Sequence, residues 1–229
     1  MTCAAVVPAA GTGLRLGGRD KVLLPVAGRP VLAWVLDALA LSGQIAEIVV
    51  VANETNIAAI RALCQAFAAP LPVHVTLGGA ERALSVRAGV EQLSVAVRYV
   101  LIHDAARPLL TPELVRRAVD TAHRHGAAVA AVPVVDTIKQ VSADGRIITT
   151  PDRSTLVAAQ TPQVFRLDWL QEAYRRTAGR LAGVTDEATL LERAGFPVYV
   201  FPGDPTNIKL TTPLDLLVVE CLLARRRGE

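Results

Sequence analysis

The residues best suited to chemistry begin at Pro8. The run Pro8, Ala9, Ala10, Gly11, Thr12, Gly13, Leu14, Arg15, Leu16, Gly17, Gly18 follows a short apolar β-branched stretch. Its small side chains let the backbone approach a ligand, and consecutive amide N–H groups in such a loop can cradle phosphate oxygens. Arg15, Arg19 and Lys21 lie in the same segment. Cations beside backbone amides suit a nucleoside triphosphate. Taken alone, a GxG after a strand is equally a tight turn and each cation equally a solvated surface charge, which is how Arg19 is read. The loop is not the dinucleotide fingerprint GxGxxG, because Leu16 stands where the third glycine belongs, and Pro25, Gly28 and Pro30 would break a helix opening there. It is not a GxxxxGK[ST] phosphate loop either. A nicotinamide-dependent oxidoreductase would further want an acid about 20 residues downstream, and no suitable one is present.

Asp104 and Arg107 form a second candidate group, just after the apolar run Tyr99 to Ile102. An aspartate there also serves as a turn cap, and Arg107 as its ion-pair partner. His103 continues the apolar run and is expected to be a buried, hydrogen-bonded imidazole. His74, His123 and His125 have no metal-ligand spacing, so no protein-built metal site is expected.

What must position these groups is an alternation of strands and helices. Strand-length apolar runs occur at Ala4 to Val7, Ile48 to Val51, Val73 to Leu77, Tyr99 to Ile102 and Ala128 to Val132. Helix-period stretches at Pro30 to Leu41, Asn56 to Phe67, Arg82 to Leu93 and Pro112 to His125 alternate with them. The last opens with Thr111 as N-cap, Pro112 at the first helical position and Glu113 in the first turn. Such alternation predicts an α/β fold, Rossmann-like, with a mostly parallel sheet flanked by helices and ligands bound at the carboxyl ends of the strands. After Pro133 the rhythm changes. Residues 136–150 alternate in polarity around Asp144-Gly145, which predicts a protruding β-hairpin arm within residues 134–155. A strand at Leu156 to Ala159, helices at Leu167 to Arg176 and Asp186 to Ala194, a strand at Val198 to Phe201 and a helix from Thr212 to Arg227 follow. With no repeat and no Gly-, Ser- or Pro-rich linker, residues 1–229 are expected to form one domain.

Composition narrows the class. The 229 residues are 52% hydrophobic but 4% aromatic, so the core must be built from Ala, Val and Leu. The longest apolar run, Ala127 to Val135, contains Pro133 and falls far short of the roughly 20 residues a membrane-spanning helix needs. A net charge of +3 with few stacking rings gives no platform for nucleic acid. Cys3, Cys64 and Cys221 are odd in number and widely spaced, which predicts a reducing, cytoplasmic setting. The N-terminal residues have neither the basic start nor the cleavage site of a secretory signal.

With these residues in view, PAAGTGLRL followed by Lys21 resembles the nucleotide loop of sugar-phosphate nucleotidyltransferases. VLIHDAARP (Val100 to Pro108) resembles the signature of the 2-C-methyl-D-erythritol 4-phosphate cytidylyltransferases. GGAERALSV, PVVDTIK, DRSTL, QTPQVF, TDEA and DPTNIK agree in order along the chain. The resemblance implies transfer of cytidylate from CTP to methylerythritol phosphate in isoprenoid biosynthesis, with ribitol 5-phosphate as the alternative acceptor. It implies Arg15, Lys21 and Lys209 around the α-phosphate. Ala9, Ala10, Gly11, Gly13, Gly78, Gly79, Ser85 and Asp104 would bind CTP. Asp104, Arg107, Thr137, Arg153, Thr161 and Thr185 would bind the acceptor. Mg²⁺ carried on the CTP phosphates, and a homodimer formed through the arm, are implied too. Ala80 stands where familiar members often carry an acid, which leaves base selectivity to backbone groups.

Overall fold

The computed structural model describes residues 2–11, 20–67, 71–177 and 183–227. In chain order the strands are β1 (Cys3–Pro8), β2 (Pro25–Val26), β3 (Arg29–Pro30), β4 (Ile45–Ala52), β5 (Val73–Leu77), β6 (Tyr99–Ile102), β7 (Ala127–Pro133), β8 (Gln140–Val141), β9 (Ile147–Thr149), β10 (Val157–Arg166) and β11 (Tyr199–Pro202). The helices are α1 (Val31–Leu41), α2 (Ile57–Ala66), α3 (Arg82–Val90), α4 (Pro112–His125), α5 (Leu167–Thr177), α6 (Glu187–Arg193) and α7 (Pro213–Arg227). Seven strands form one sheet in the order β11-β7-β10-β6-β1-β4-β5. β1 lies parallel to both β4 and β6, β4 parallel to β5, and β11 parallel to β7.

Burial explains why the central strands read as unbroken apolar runs. Successive side chains of a strand face opposite ways. On β1, Ala5 and Val7 join Leu32 and Leu36 of α1 and Leu114 and Val115 of α4. Val6 faces the other layer, with Val86 of α3, Leu170 of α5 and Leu190 of α6. A sheet covered on both faces needs no polar side. α4 starts as expected: the Thr111 hydroxyl accepts from Leu114 N at 3.2 Å, with Pro112 in the first turn.

Two expectations change. The strand expected at Leu156 to Ala159 is the ten-residue β10, which runs antiparallel between β6 and β7. Its polar centre, Gln160 to Gln163, sits where the register against β7 shifts, the kind of irregularity that accommodates a proline such as Pro162 inside a sheet. The arm is also shorter than the alternation suggests. Only β8 and β9 pair, closed by a turn in which Gly145 has φ +85° and donates to Ser142 O at 3.0 Å.

A third apolar cluster positions the site. Val219 and Leu223 of α7 pack with Val26, Val31, Ala106, Leu109 and Leu210. Leu210 N donates to Ala106 O at 2.8 Å, which fixes the segment carrying Lys209 against the end of β6.

Candidate active site

A cleft opens where β1, β5 and β6 end. It is lined by Pro8 to Gly11, Lys21, Val22, Gly79 to Arg82, Ser85, Asp104, Ala106 and Lys209. Its floor is held from below. Asn53 Nδ2 donates to Ala10 O at 3.0 Å, and Asn56 Nδ2 donates to Ala9 O at 3.0 Å and to Asp20 Oδ2 at 2.6 Å. The Ala9 amide donates to Val51 O at 2.7 Å, so Ala9 shapes the floor and does not offer that amide to a ligand. Arg15 and Gly13 lie outside the described residues.

The paired glycines meet α3 closely. A Cβ on Gly78 would stand 2.5 Å from Ser85 Oγ and 2.9 Å from Val51 Cγ1, and one on Gly79 would stand 2.6 Å from Leu84 Cβ. No side chain larger than hydrogen fits without movement. The Ser85 hydroxyl donates to Gly79 O at 3.2 Å. Ala80 lines the cleft beside the exposed Glu81, so a carboxylate stands one residue later than the familiar pattern has it.

Asp104 is the electrostatic centre. Its Oδ1 accepts from Arg82 Nε at 3.2 Å and its Oδ2 from Lys209 Nζ at 2.7 Å, with Arg107 Nε 3.8 Å from Oδ2. Burial alone would raise its pKa. Arg82 first, then Lys209 and Arg107, outweigh burial and hold the carboxyl far below the usual carboxylate range. Glu187, wholly buried at the start of α6, accepts from Arg82 Nη1 at 2.8 Å. Arg82 thus bridges two carboxylates, whose attraction outweighs the cost of burial and raises its pKa.

Behind Asp104 runs a directional chain of hydrogen bonds. The Arg107 carbonyl can only accept, so His103 Nε2, 3.2 Å away, is the protonated nitrogen. His103 Nδ1 then accepts from the Thr161 hydroxyl at 3.1 Å, and Thr161 Oγ1 accepts from Asp104 N at 3.1 Å. Burial depresses the imidazole to about 4, so it is neutral and both nitrogens are engaged. His103 is the buried, hydrogen-bonded residue the sequence suggested. The Thr161 hydroxyl, expected to meet the acceptor, is committed inside the protein instead, because β10 lies alongside β6 and delivers it under Asp104. Arg107 likewise braces the site. It is largely buried and donates from Nη1 to Asn207 O at 2.7 Å, while Asn207 Nδ2 donates to Thr161 O at 2.7 Å.

The remaining acceptor candidates stand away from the cleft lining. Thr137 and Thr185 are exposed, and Arg153, also exposed, donates to Val135 O at 2.8 Å at the base of the arm. Among the described residues no group of three or more His, Cys, Asp or Glu could hold a metal, and no helix is long and apolar enough to cross a membrane.

Comparison with known proteins decides the family. Residues 3–225 match the family model of IspD, 2-C-methyl-D-erythritol 4-phosphate cytidylyltransferase. The chain belongs to this family. It is 46% identical to the cytidylyltransferase of that name from Synechococcus elongatus over 97% of this chain and 96% of the relative. It is 45% identical to that of Symbiobacterium thermophilum, over 95% and 91%. Among solved structures, the 4-diphosphocytidyl-2C-methyl-D-erythritol synthase of Anaerococcus prevotii superposes with a TM-score of 0.87 at 28% identity, covering 98% and 99% of the two chains. The Thermus thermophilus cytidylyltransferase superposes at 0.77 with 32% identity, covering 97% and 98%. An α/β cytidylyltransferase architecture is therefore established, with β10 as its antiparallel member.

Sequence reasoning missed Arg82, Glu187, Asn53 and Asn56. Arg82 and Glu187 open helices, where a charge reads as solvated. The usable signal for Glu187 was its place directly before the apolar Ala188, Leu190 and Leu191.

Proposed function

We propose that this cleft transfers cytidylate from CTP to 2-C-methyl-D-erythritol 4-phosphate, giving 4-diphosphocytidyl-2-C-methyl-D-erythritol and pyrophosphate for isoprenoid precursors. The observation that carries this reading is the meeting of the Ala9–Gly11 loop, Lys21, Gly79, Asp104 and Lys209 in one cleft, though they are scattered over 200 residues of chain. An oxygen of the acceptor phosphate attacks the α-phosphorus of CTP. As that bond forms, the bond to the bridging oxygen breaks and pyrophosphate leaves with the electron pair. The nucleophile is already ionised, so no general base is needed, which fits a His103 that is neutral and fully engaged. Positioning and charge neutralisation supply the rate. Lys21, Lys209 and Arg15 meet the α-phosphate. Ala10, Gly11, Gly13, Gly79 and Ser85 hold the nucleotide over a floor shaped by Ala9 and Gly78, and Thr137, Arg153 and Thr185 serve the acceptor, with Arg107 and Thr161 acting indirectly through Asp104.

The carboxylates lining the cleft are Asp104 and Glu81, a donor set that suits Mg²⁺ bound mainly through substrate phosphates. Bound there, the ion would neutralise phosphate charge and be held by the phosphates themselves, with Asp104 Oδ2 free to join it once Lys209 turns to the nucleotide. The arm supports a homodimer. Val135, Val141, Ile147 and Ile148 are 81%, 52%, 57% and 56% exposed, and a two-stranded hairpin is only marginally stable alone. A twofold partner covers such residues and lets Arg153 grip the acceptor phosphate in the neighbouring cleft. The three free cysteines suit a cytoplasmic enzyme.

Pyrophosphate release from CTP is measured with methylerythritol phosphate and, separately, with ribitol 5-phosphate. Turnover with the first is expected; turnover with ribitol 5-phosphate alone overturns the acceptor, and release with neither overturns the reaction. For the dimer, inactive Arg153→Ala and Lys21→Ala subunits are mixed. Activity returns if Arg153 acts across the interface, since one site of each heterodimer then carries neither lesion. Heterodimers without activity refute that.

A further inference from the structure

Glu187 is out of place by ordinary rules. It is fully buried, its Oε1 has no hydrogen-bond partner among the described residues, and burial pushes its carboxyl up despite the neighbouring guanidinium. A buried ion pair is weak evidence for stability, because desolvation offsets its attraction and an apolar pair of similar volume often does as well. The pair at Glu187 therefore calls for another account, and its geometry provides one.

Among the described residues, Arg82 is the side chain that joins Glu187 to the cleft. Its Nη1 takes Glu187 Oε2 at 2.8 Å and its Nε takes Asp104 Oδ1 at 3.2 Å. A planar guanidinium held at one end cannot turn at the other. The start of α6 is itself anchored: Asp186 Oδ1 accepts from Thr189 N at 3.0 Å, and Asp186 Oδ2 accepts from Gln163 Nε2 of β10 at 2.7 Å. Glu187 thus hangs from a fixed point, Arg82 is fixed to Glu187, and Asp104 Oδ1 is fixed to Arg82. Oδ2 is then the oxygen left for Lys209 Nζ, at 2.7 Å. Resting on the cytidylyltransferase reading above, we infer that Glu187 is a positioning residue for that reaction: through Arg82 it assigns the two oxygens of Asp104, one to the guanidinium and one to the side facing Lys209 and the nucleotide. Without the Glu187 charge, Arg82 turns further onto Asp104 or toward the incoming phosphates. Either movement changes where Lys209 stands while the cleft itself keeps its shape.

The test is a double-mutant cycle on the full-length enzyme with CTP and methylerythritol phosphate. Glu187→Gln keeps volume and one acceptor but removes the charge. It is expected to lower kcat about 10-fold or more while the KM for CTP stays within about threefold, the signature of lost transition-state positioning. In an Asp104→Asn background the same change is expected to cost less than about twofold, because the group it positions is already altered. Arg82→Lys, which keeps the charge but loses the fork, should reproduce the Glu187→Gln loss and stands in for it if melting shows that Glu187→Gln does not fold. Two results overturn the inference: kcat within twofold of wild type, or an undiminished loss in the Asp104→Asn background, which is what a merely structural role produces. If the wild type forms no pyrophosphate, the functional reading fails by itself. The same cycle is then read in CTP affinity by calorimetry, where coupling between positions 187 and 104 supports the positioning and additivity refutes it.

Discussion

Lowering the pH should destabilise this protein through His103 in a window set by its burial. The folded imidazole titrates at about 4, burial being the main cause, against an ordinary value of 6.5. Between those values the unfolded chain holds a proton that the folded chain refuses, so stability must rise with pH across that window and fall as pH drops through it. The contribution is complete above pH 6.5. A tenfold change in proton affinity is worth about 1.4 kcal/mol, so a change from 6.5 to about 4 corresponds to roughly 3 kcal/mol. Other carboxylates titrate nearby, so the reference is His103→Gln, whose amide can donate to the Arg107 carbonyl but does not ionise. Urea unfolding followed by tryptophan fluorescence at pH 7, 6, 5 and 4.5 gives both stabilities, and contributions common to the two proteins, including Asp104 and Glu187, cancel in the difference. The wild type is expected to lose its advantage steadily below pH 6.5, with a slope approaching 1.4 kcal/mol per pH unit. A difference that stays constant across the range would mean that His103 is accessible to protons in the folded state. The directional hydrogen-bond chain would then be wrong.

Other substitutions probe the same site. Thr161→Val leaves His103 Nδ1 and Asp104 N without their partner, at about 1–3 kcal/mol for each buried group. The melting temperature should fall by roughly 5–15 °C, with Thr161→Ser recovering most of it; equal melting of the Val and Ser variants counts against the chain. Lys21→Ala and Lys209→Ala should each lower kcat by on the order of 100-fold with smaller effects on KM, since their charges match the transition state better than the ground state; unchanged kcat with raised KM assigns them to binding. Gly78→Ala drives a methyl to 2.5 Å from Ser85 Oγ, so the KM for CTP should rise several-fold, and wild-type kinetics would show that α3 yields freely. Chelating Mg²⁺ should abolish turnover, restored by adding the ion back; activity in excess chelator contradicts a phosphate-borne metal.

What was legible in the residues follows physical lines. Helices and inner strands have different periods and clear end signals, so Thr111, Pro112 and Glu113 announced α4 to the residue, as Pro112–His125. β10 was half hidden because Gln160, Thr161, Pro162 and Gln163 look like a loop, and only its tertiary position between two strands makes them a strand centre. Lys21, Asp104 and Lys209 were readable through their motifs. Arg82 and Glu187 were not, because what sets them apart is a contact between residues 105 positions apart; the apolar Ala188, Leu190 and Leu191 point to burial of Glu187 but not to the arginine it meets. Asn53 and Asn56 carried ordinary turn chemistry in the sequence, and their reach to Ala9 and Ala10 depends on β1 lying beside β4.

A carboxylate at the centre of an anion-binding cleft looks self-defeating, and the geometry resolves the difficulty. Arg82, Arg107 and Lys209 would repel one another if gathered bare in a half-buried space, where charges are poorly screened. Asp104, with Glu187 behind it, neutralises most of that repulsion and leaves the five groups one positive charge in excess. The cations differ in commitment. Arg82 is locked between two carboxylates and Arg107 is tied to Asn207, whereas Lys209 meets Asp104 from the rim with 36% of its side chain exposed. A phosphate entering the cleft therefore competes with Asp104 for Lys209 before it can compete for either arginine. The two arginines keep Asp104 charged and in place while the lysine is shared, so the same carboxylate that assembles the cations also leaves one of them available to the substrate.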